Sequence, residues 1–124
     1  GSKTWGDGTD ATIVAAGVTL HEALAAQNIL KKEDIHVRVI DAYSVKPIDE
    51  ETLKKASEET KTVITVEDHS AHGGLGEAVA SVIGPVQMLA VRDIPRSGEP
   101  DELLDKYGIN SRAIVAAVRE RIGK

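Results

Sequence analysis

The sequence predicts an α/β domain: a mostly parallel sheet covered by helices on both faces, in a three-layer α/β/α arrangement. Three observations predict it. Short runs of β-branched and small apolar residues alternate with longer stretches of helical periodicity, the order that successive βαβ units produce. The runs are apolar at consecutive rather than alternate positions, as in Ala11 to Ala16 (ATIVAA), the pattern of strands buried on both faces. Finally, 124 residues fit one domain and leave little room for a second hydrophobic core.

The elements follow in order. Residues 1–10 read as a cloning scar at Gly1-Ser2 and a polar N-terminal stretch, with the domain proper spanning residues 11–124. Ala11 to Ala16 is a buried strand ended by Gly17. Thr19-Leu20-His21-Glu22 then reads as a capping box, in which the Thr19 hydroxyl takes the Glu22 amide and the Glu22 carboxylate reaches back. Leu20, Ala23, Leu24, Ala26, Ile29 and Leu30 give this helix a broad apolar face, and Lys31-Lys32 suit its C-terminal dipole. His36 to Ile40 is a second strand, running on to Asp41 and stopped by Pro47. Asp49 caps the next helix, with Glu50 and Glu51 in its first turn. Thr62 to Val66 is a third strand, followed by a Gly-rich turn and a helix from about Gly76 to Ile83 that Gly84-Pro85 closes. Gln87 to Val91 is a fourth strand. The segment Ile94 to Pro100, with two prolines and a glycine, is a loop. A short helix over Asp101 to Lys106 follows, then a last helix capped by Asn110 or Ser111, with Ile114, Val115, Val118 and Ile122 on one side.

Composition narrows the function. The chain lacks Phe, and Trp5, Tyr43 and Tyr107 are its aromatics, so the interior rests on Val, Ile, Leu and many Ala. Small side chains bury less area each, at about 25 cal/mol per Å², so such a domain is expected to draw some stability from neighbours. A net charge of −5, with acidic and basic residues interspersed, gives no electrostatic footprint for nucleic acid. The absence of Cys removes disulfides and thiolate metal sites and fits a cytoplasmic origin. The apolar runs are too short to span a bilayer, so no membrane partner is expected.

In a sheet of this kind, functional groups belong at the carboxyl ends of strands: near Gly17, Asp41, Glu67 to Gly76, and Arg92 to Arg96. The turn Glu67-Asp68-His69 … Gly73-Gly74-Leu75-Gly76 is the most informative of these. Its glycines before a helix could present amides to a phosphate, but Glu67, Asp68 and Glu77 crowd carboxylates around that position, which disfavours an anion. Tight strand-to-helix packing is the better account of the glycines. Glu67, Asp68, His69 and His72 are chemically suited to zinc or manganese, yet neighbours on a strand end point in different directions, so an interface or structural role is preferred. Ser70 beside His69 and Asp68 lacks the surroundings of a nucleophile elbow. Gly6-Asp7-Gly8 is similar to the start of a thiamine-diphosphate motif, but no strand is expected before it, and Asn28 follows too soon and inside a helix. Asp41 lacks the acidic pair of a receiver-type phosphoacceptor, and Arg92 with Arg96 reads as a loop salt bridge.

Together these segments resemble one family. Thr12 to Leu24 (TIVAAGVTLHEAL), Val39 to Asp49 (VIDAYSVKPID), Val66 to His69 (VEDH) with Gly73 to Val79 (GGLGEAV), and Ile94 to Pro100 (IPRSGEP) with Glu102-Leu103-Leu104 and Tyr107-Gly108-Ile109 are similar to the C-terminal domain of transketolase. The last segment favours transketolase over the related domains of deoxyxylulose-phosphate synthase and of 2-oxo acid dehydrogenase E1 components. The resemblance implies a five-stranded mixed sheet between helices, in a third domain that supports structure and dimer contacts. It implies a parent homodimer that transfers a two-carbon ketol unit between sugar phosphates, using thiamine diphosphate and Mg²⁺ held by two other domains. No catalytic, cofactor or metal residue is therefore expected in this chain, which alone would be inactive. Its partners would be other transketolase domains or subunits, met through Glu67, Asp68, His69, Gly73, Gly74 and Gly76. The rival readings are a small-ligand or metal-binding α/β module, or a designed or excised stable scaffold of this fold.

Overall fold

The computed structural model describes residues 3–15, 19–42, 49–68, 74–91 and 100–123. The elements run β1 (Lys3–Trp5), β2 (Ala11–Ala15), α1 (Leu20–Lys31), β3 (Val37–Asp41), α2 (Glu50–Glu59), β4 (Val63–Asp68), α3 (Gly74–Ile83), β5 (Gln87–Val91) and α4 (Pro100–Ile122). One five-stranded sheet has the order β1-β3-β2-β4-β5. The β3–β2, β2–β4 and β4–β5 pairs are parallel, and β1 runs antiparallel along β3 with Trp5 opposite Val39. The mixed α/β class expected from the sequence is the one observed.

Strand alternation sorts the core onto two faces. On one, Ile13, Val39, Ile64 and Val66 pack under Ala23, Ala26 and Leu30 of α1 and under Ile114, Val115 and Val118 of α4. On the other, Val14, Ile40 and Val63 meet Leu53 and Ala56 of α2 and Val79 of α3. Helices thus lie in pairs on either side, and β2, every residue of which is buried, occupies the centre. The periodicity of α1 is realised as read: Ala23, Ala26 and Leu30 are buried, while Leu20, Leu24 and Ile29 pack at the margin. Asp49 caps α2 as expected, accepting from the Thr52 amide at 3.1 Å and the Thr52 hydroxyl at 2.7 Å.

Several expectations are corrected. Lys3–Trp5, inside the polar N-terminal stretch, is a strand, so a strand does precede Gly6-Asp7-Gly8. With three residues it is too short to show a period, and it is held from outside: Gln27 of α1 donates to the carbonyls of Trp5 and Val37 at 2.9 and 3.0 Å. α3 begins at Gly74 rather than Gly76. The two helices expected near the C-terminus are one, and Asn110 and Ser111 are buried within it rather than capping it. A helix-interior glycine costs only about 1 kcal/mol relative to Ala, so Gly108 does not end a helix that packs along α1. The capping box is absent: Thr19 precedes α1 but makes no side-chain cap bond. Its hydroxyl donates instead to the Val66 carbonyl of β4 at 3.1 Å, and Glu22 is buried. Pro47, expected to stop β3, and all but the last residue of the loop expected from Ile94 to Pro100 lie outside the described residues, while Pro100 is the first residue of α4 rather than part of a loop.

Candidate functional site

At the carboxyl end of the sheet β4 finishes on Glu67-Asp68 and β3 on Asp41. Because side chains alternate along a strand, Glu67 follows Val63 and Thr65 toward α2 and α3, while Asp68 follows Ile64 and Val66 toward α1 and α4. The two adjacent carboxylates therefore serve different faces and do not converge on one ligand.

Glu67 is buried and accepts from the Leu75 amide in the first turn of α3, at 3.4 Å. A carboxylate there answers both the unpaired amides and the positive end of the helix dipole. The position a phosphate would need is thus taken by the chain's own anion, and the crowding inferred from sequence has a structural purpose. The glycines separate by role. A β-carbon on Gly76 would lie 2.6 Å from the Met88 side chain of β5, whereas one on Gly74 would meet nothing within 4 Å. Close packing thus explains Gly76 but not Gly74. His69, Ser70, His72 and Gly73 lie outside the described residues, as do Gly17, Arg92 and Arg96. Among the described residues no group of three or more His, Cys, Asp or Glu is placed to hold a metal ion.

Across the sheet a polar cluster collects that sequence reasoning did not identify as a site. Glu22, Thr19, Asn110 and Ser111 are all buried. Neither oxygen of Glu22 has a hydrogen-bond partner among the described residues. Burial pushes its carboxyl above the ordinary value. Its own helix backbone, the Asn110 carboxamide and His21 pull the other way, and the negative Asp68 adds to the rise. A signal was present: Glu22, Ala26 and Leu30 follow at intervals of four, so the helical period itself put Glu22 on the buried stripe.

The Gly6-Asp7-Gly8 turn lies at the opposite end of the sheet, where β1 crosses to β2. Clefts of about 530 and 550 Å³ flank it. In the second, the buried Arg38 donates to the Gly8 carbonyl and pairs with Glu59, both at 2.9 Å, so its charge is already answered. The turn leads into a strand, not a helix N-terminus, and thiamine diphosphate finds no fitting cradle there.

This architecture, a mixed five-stranded sheet with a pair of helices on each face, defines a three-layer α/β domain. The family model for transketolase, C-terminal domain, matches residues 3–114, and the chain belongs to that family. Human transketolase is 50% identical over 119 residues, covering 91% of this chain and 19% of the human protein. Mouse transketolase-like protein 2 is 47% identical over the same length and coverage. The chain thus spans about a fifth of the curated relatives it matches. Among solved structures, a split-gene transketolase described as an inactive beta4 tetramer superposes with a TM-score of 0.79 at 41% identity, covering 99% of this chain and 42% of that one. A 2-oxoglutarate:ferredoxin oxidoreductase from Magnetococcus marinus, at TM-score 0.72 and 19% identity over 98% of this chain and 20% of that one, shares the fold.

Proposed function

We propose that the chain is the third domain of a transketolase, with a structural and dimer-contact role and no catalytic activity alone. The parent would be a cytoplasmic homodimer that transfers a two-carbon ketol unit between sugar phosphates with thiamine diphosphate and Mg²⁺. The observation that carries the reading is the Glu67 carboxylate at the N-terminus of α3, where a ligand-binding domain would keep its amides free. The share of the relatives that the chain spans supports it as well, since some four fifths of their length lies beyond the match. The contact surface in the parent is the carboxyl end around Glu67, Asp68, His69, Gly73, Gly74 and Gly76. Titration calorimetry with thiamine diphosphate and Mg²⁺ tests the proposal: no saturable heat is expected from this chain. A tight, Mg²⁺-dependent isotherm would defeat it.

A further inference from the structure

Glu22 sits at the head of α1, 1% exposed, where α1, β4 and α4 meet. A carboxylate so placed needs a donor, a cation or a proton, because an ionised carboxyl without partners in an apolar interior costs several kcal/mol. Donors are short: neither oxygen makes a hydrogen bond of good geometry among the described residues, and the nearby Asn110 carboxamide favours the charged form by less than burial opposes it. Among the described residues no Lys or Arg side chain is recorded pairing with it. The described ion pairs join Asp34 with His36, Glu59 with Arg38, Glu50 with Lys54, Asp10 with Lys61 and Glu33 with Arg119, all away from this junction. A metal ion would need a ligand set that the described residues do not assemble.

The groups facing the junction complete the case. β4 brings Asp68, whose charge repels an ionised Glu22. β3 ends on Asp41, which strand alternation puts on the same face of the sheet. β2 offers the apolar Ile13 and Ala15, and α4 offers the neutral Asn110 and Ser111 beside Ile114. On α1 itself the backbone at Glu22 and His21 favour a negative Glu22, but burial outweighs them, and the His21 side chain is exposed to water, which screens it. Among the described residues, the buried side chains that face Glu22 are neutral or negative.

We propose that Glu22 is a proton-binding site that clasps α1 to β4 and α4: as the neutral acid it fits the junction, and release of its proton to solvent leaves an unsolvated charge that loosens the three elements. Loosening there would reach the carboxyl end of the sheet, so the packing of that face becomes sensitive to pH. The inference does not depend on the parent's activity.

The sign is fixed by the direction of the shift. The folded chain holds one proton more than the unfolded chain between the ordinary pKa near 4.5 and the raised folded value. Stability contributed by this group is therefore greatest below that window, and falls as pH rises through it. The test is urea unfolding of this chain and of Glu22→Gln between pH 5 and 8. In the unaltered chain, the unfolding constant should climb by up to about tenfold per pH unit within the window. In Glu22→Gln that one-proton component should vanish, with higher stability at pH 7. Parallel pH profiles for the two chains would overturn the proposal. Should Glu22→Gln fail to fold, ¹³C carboxyl NMR of the unaltered chain decides directly. A Glu22 resonance that titrates above the chain's exposed glutamates is expected, and one that ionises with them refutes the site.

Discussion

A β-carbon built on Gly8 would lie 2.3 Å from the His36 carbonyl oxygen and 2.7 Å from the Val37 amide nitrogen. Both are main-chain atoms at the entry to β3, and the Gly8 carbonyl is itself held by Arg38, so neither partner can withdraw cheaply. Gly76 presents the contrary case. Its neighbour is the unbranched Met88 side chain, 46% exposed, and a thioether with several rotatable bonds can swing into solvent. Gly74 has open space. Alanine substitutions at the three positions should therefore rank: Gly8→Ala loses more than about 1 kcal/mol, Gly76→Ala less, and Gly74→Ala is neutral or stabilising. Urea midpoints of the three variants check the order, and a Gly74→Ala loss equal to that of Gly8→Ala would contradict it. Close packing was expected for the glycines of the turn and holds at Gly76 but not at Gly74; the ranking was not readable beforehand, because a glycine in a sequence does not say which atoms approach it. The sequence treated the glycines of one turn as a set, and the structure divides them.

Among the elements, those whose signals are local were legible. α2 is the clearest: an Asp49 cap, acidic residues in the first turn, and a hydrophobic face reduced to the buried Leu53 and Ala56. With so little buried area, the cap carries a large part of what fixes its start. Asp49→Ala should cost about 1.5 kcal/mol, toward the upper part of the range of roughly 0.5–2 for such caps, because both the Thr52 amide and hydroxyl lose their acceptor. A loss below about 0.3 kcal/mol in thermal or urea unfolding would show that packing alone fixes the helix. Elements decided by tertiary contact were not legible. β1 exists because β3 and Gln27 hold it, and α4 runs through Asn110 because α1 packs along it. The start of α1 was misread for the same reason. Thr19 and Glu22 have the spacing of a capping box, but the Thr19 hydroxyl is drawn to the Val66 carbonyl and Glu22 turns into the junction with α4.

At the scale of the whole molecule, the parallel centre of the sheet was visible in its consecutive apolar runs, and so was the importance of its carboxyl end. The division of that end was not, since adjacent letters such as Glu67-Asp68 face opposite layers only once the strand is paired. The same pairing makes the sheet uneven in stability. β2 lies between two parallel partners with all five residues buried, whereas β5 is an edge strand with Gln87, Met88 and Ala90 exposed. The close seat of α3 on β5 is made through Gly76, which contributes no side-chain area of its own. An edge with few buried contacts opens by local fluctuation, while a central strand exposes its amides only when the whole domain unfolds. Native-state hydrogen exchange should accordingly show β2 and the Ile64–Val66 portion of β4 exchanging with the free energy and urea dependence of global unfolding. The β5 amides should exchange faster and with little urea dependence. β1, three residues long and held at one edge, should resemble β5. Equal protection across the sheet would mean that β5 is as firmly fixed as the centre, and that the core of this Phe-free domain does not need the neighbours its composition suggests.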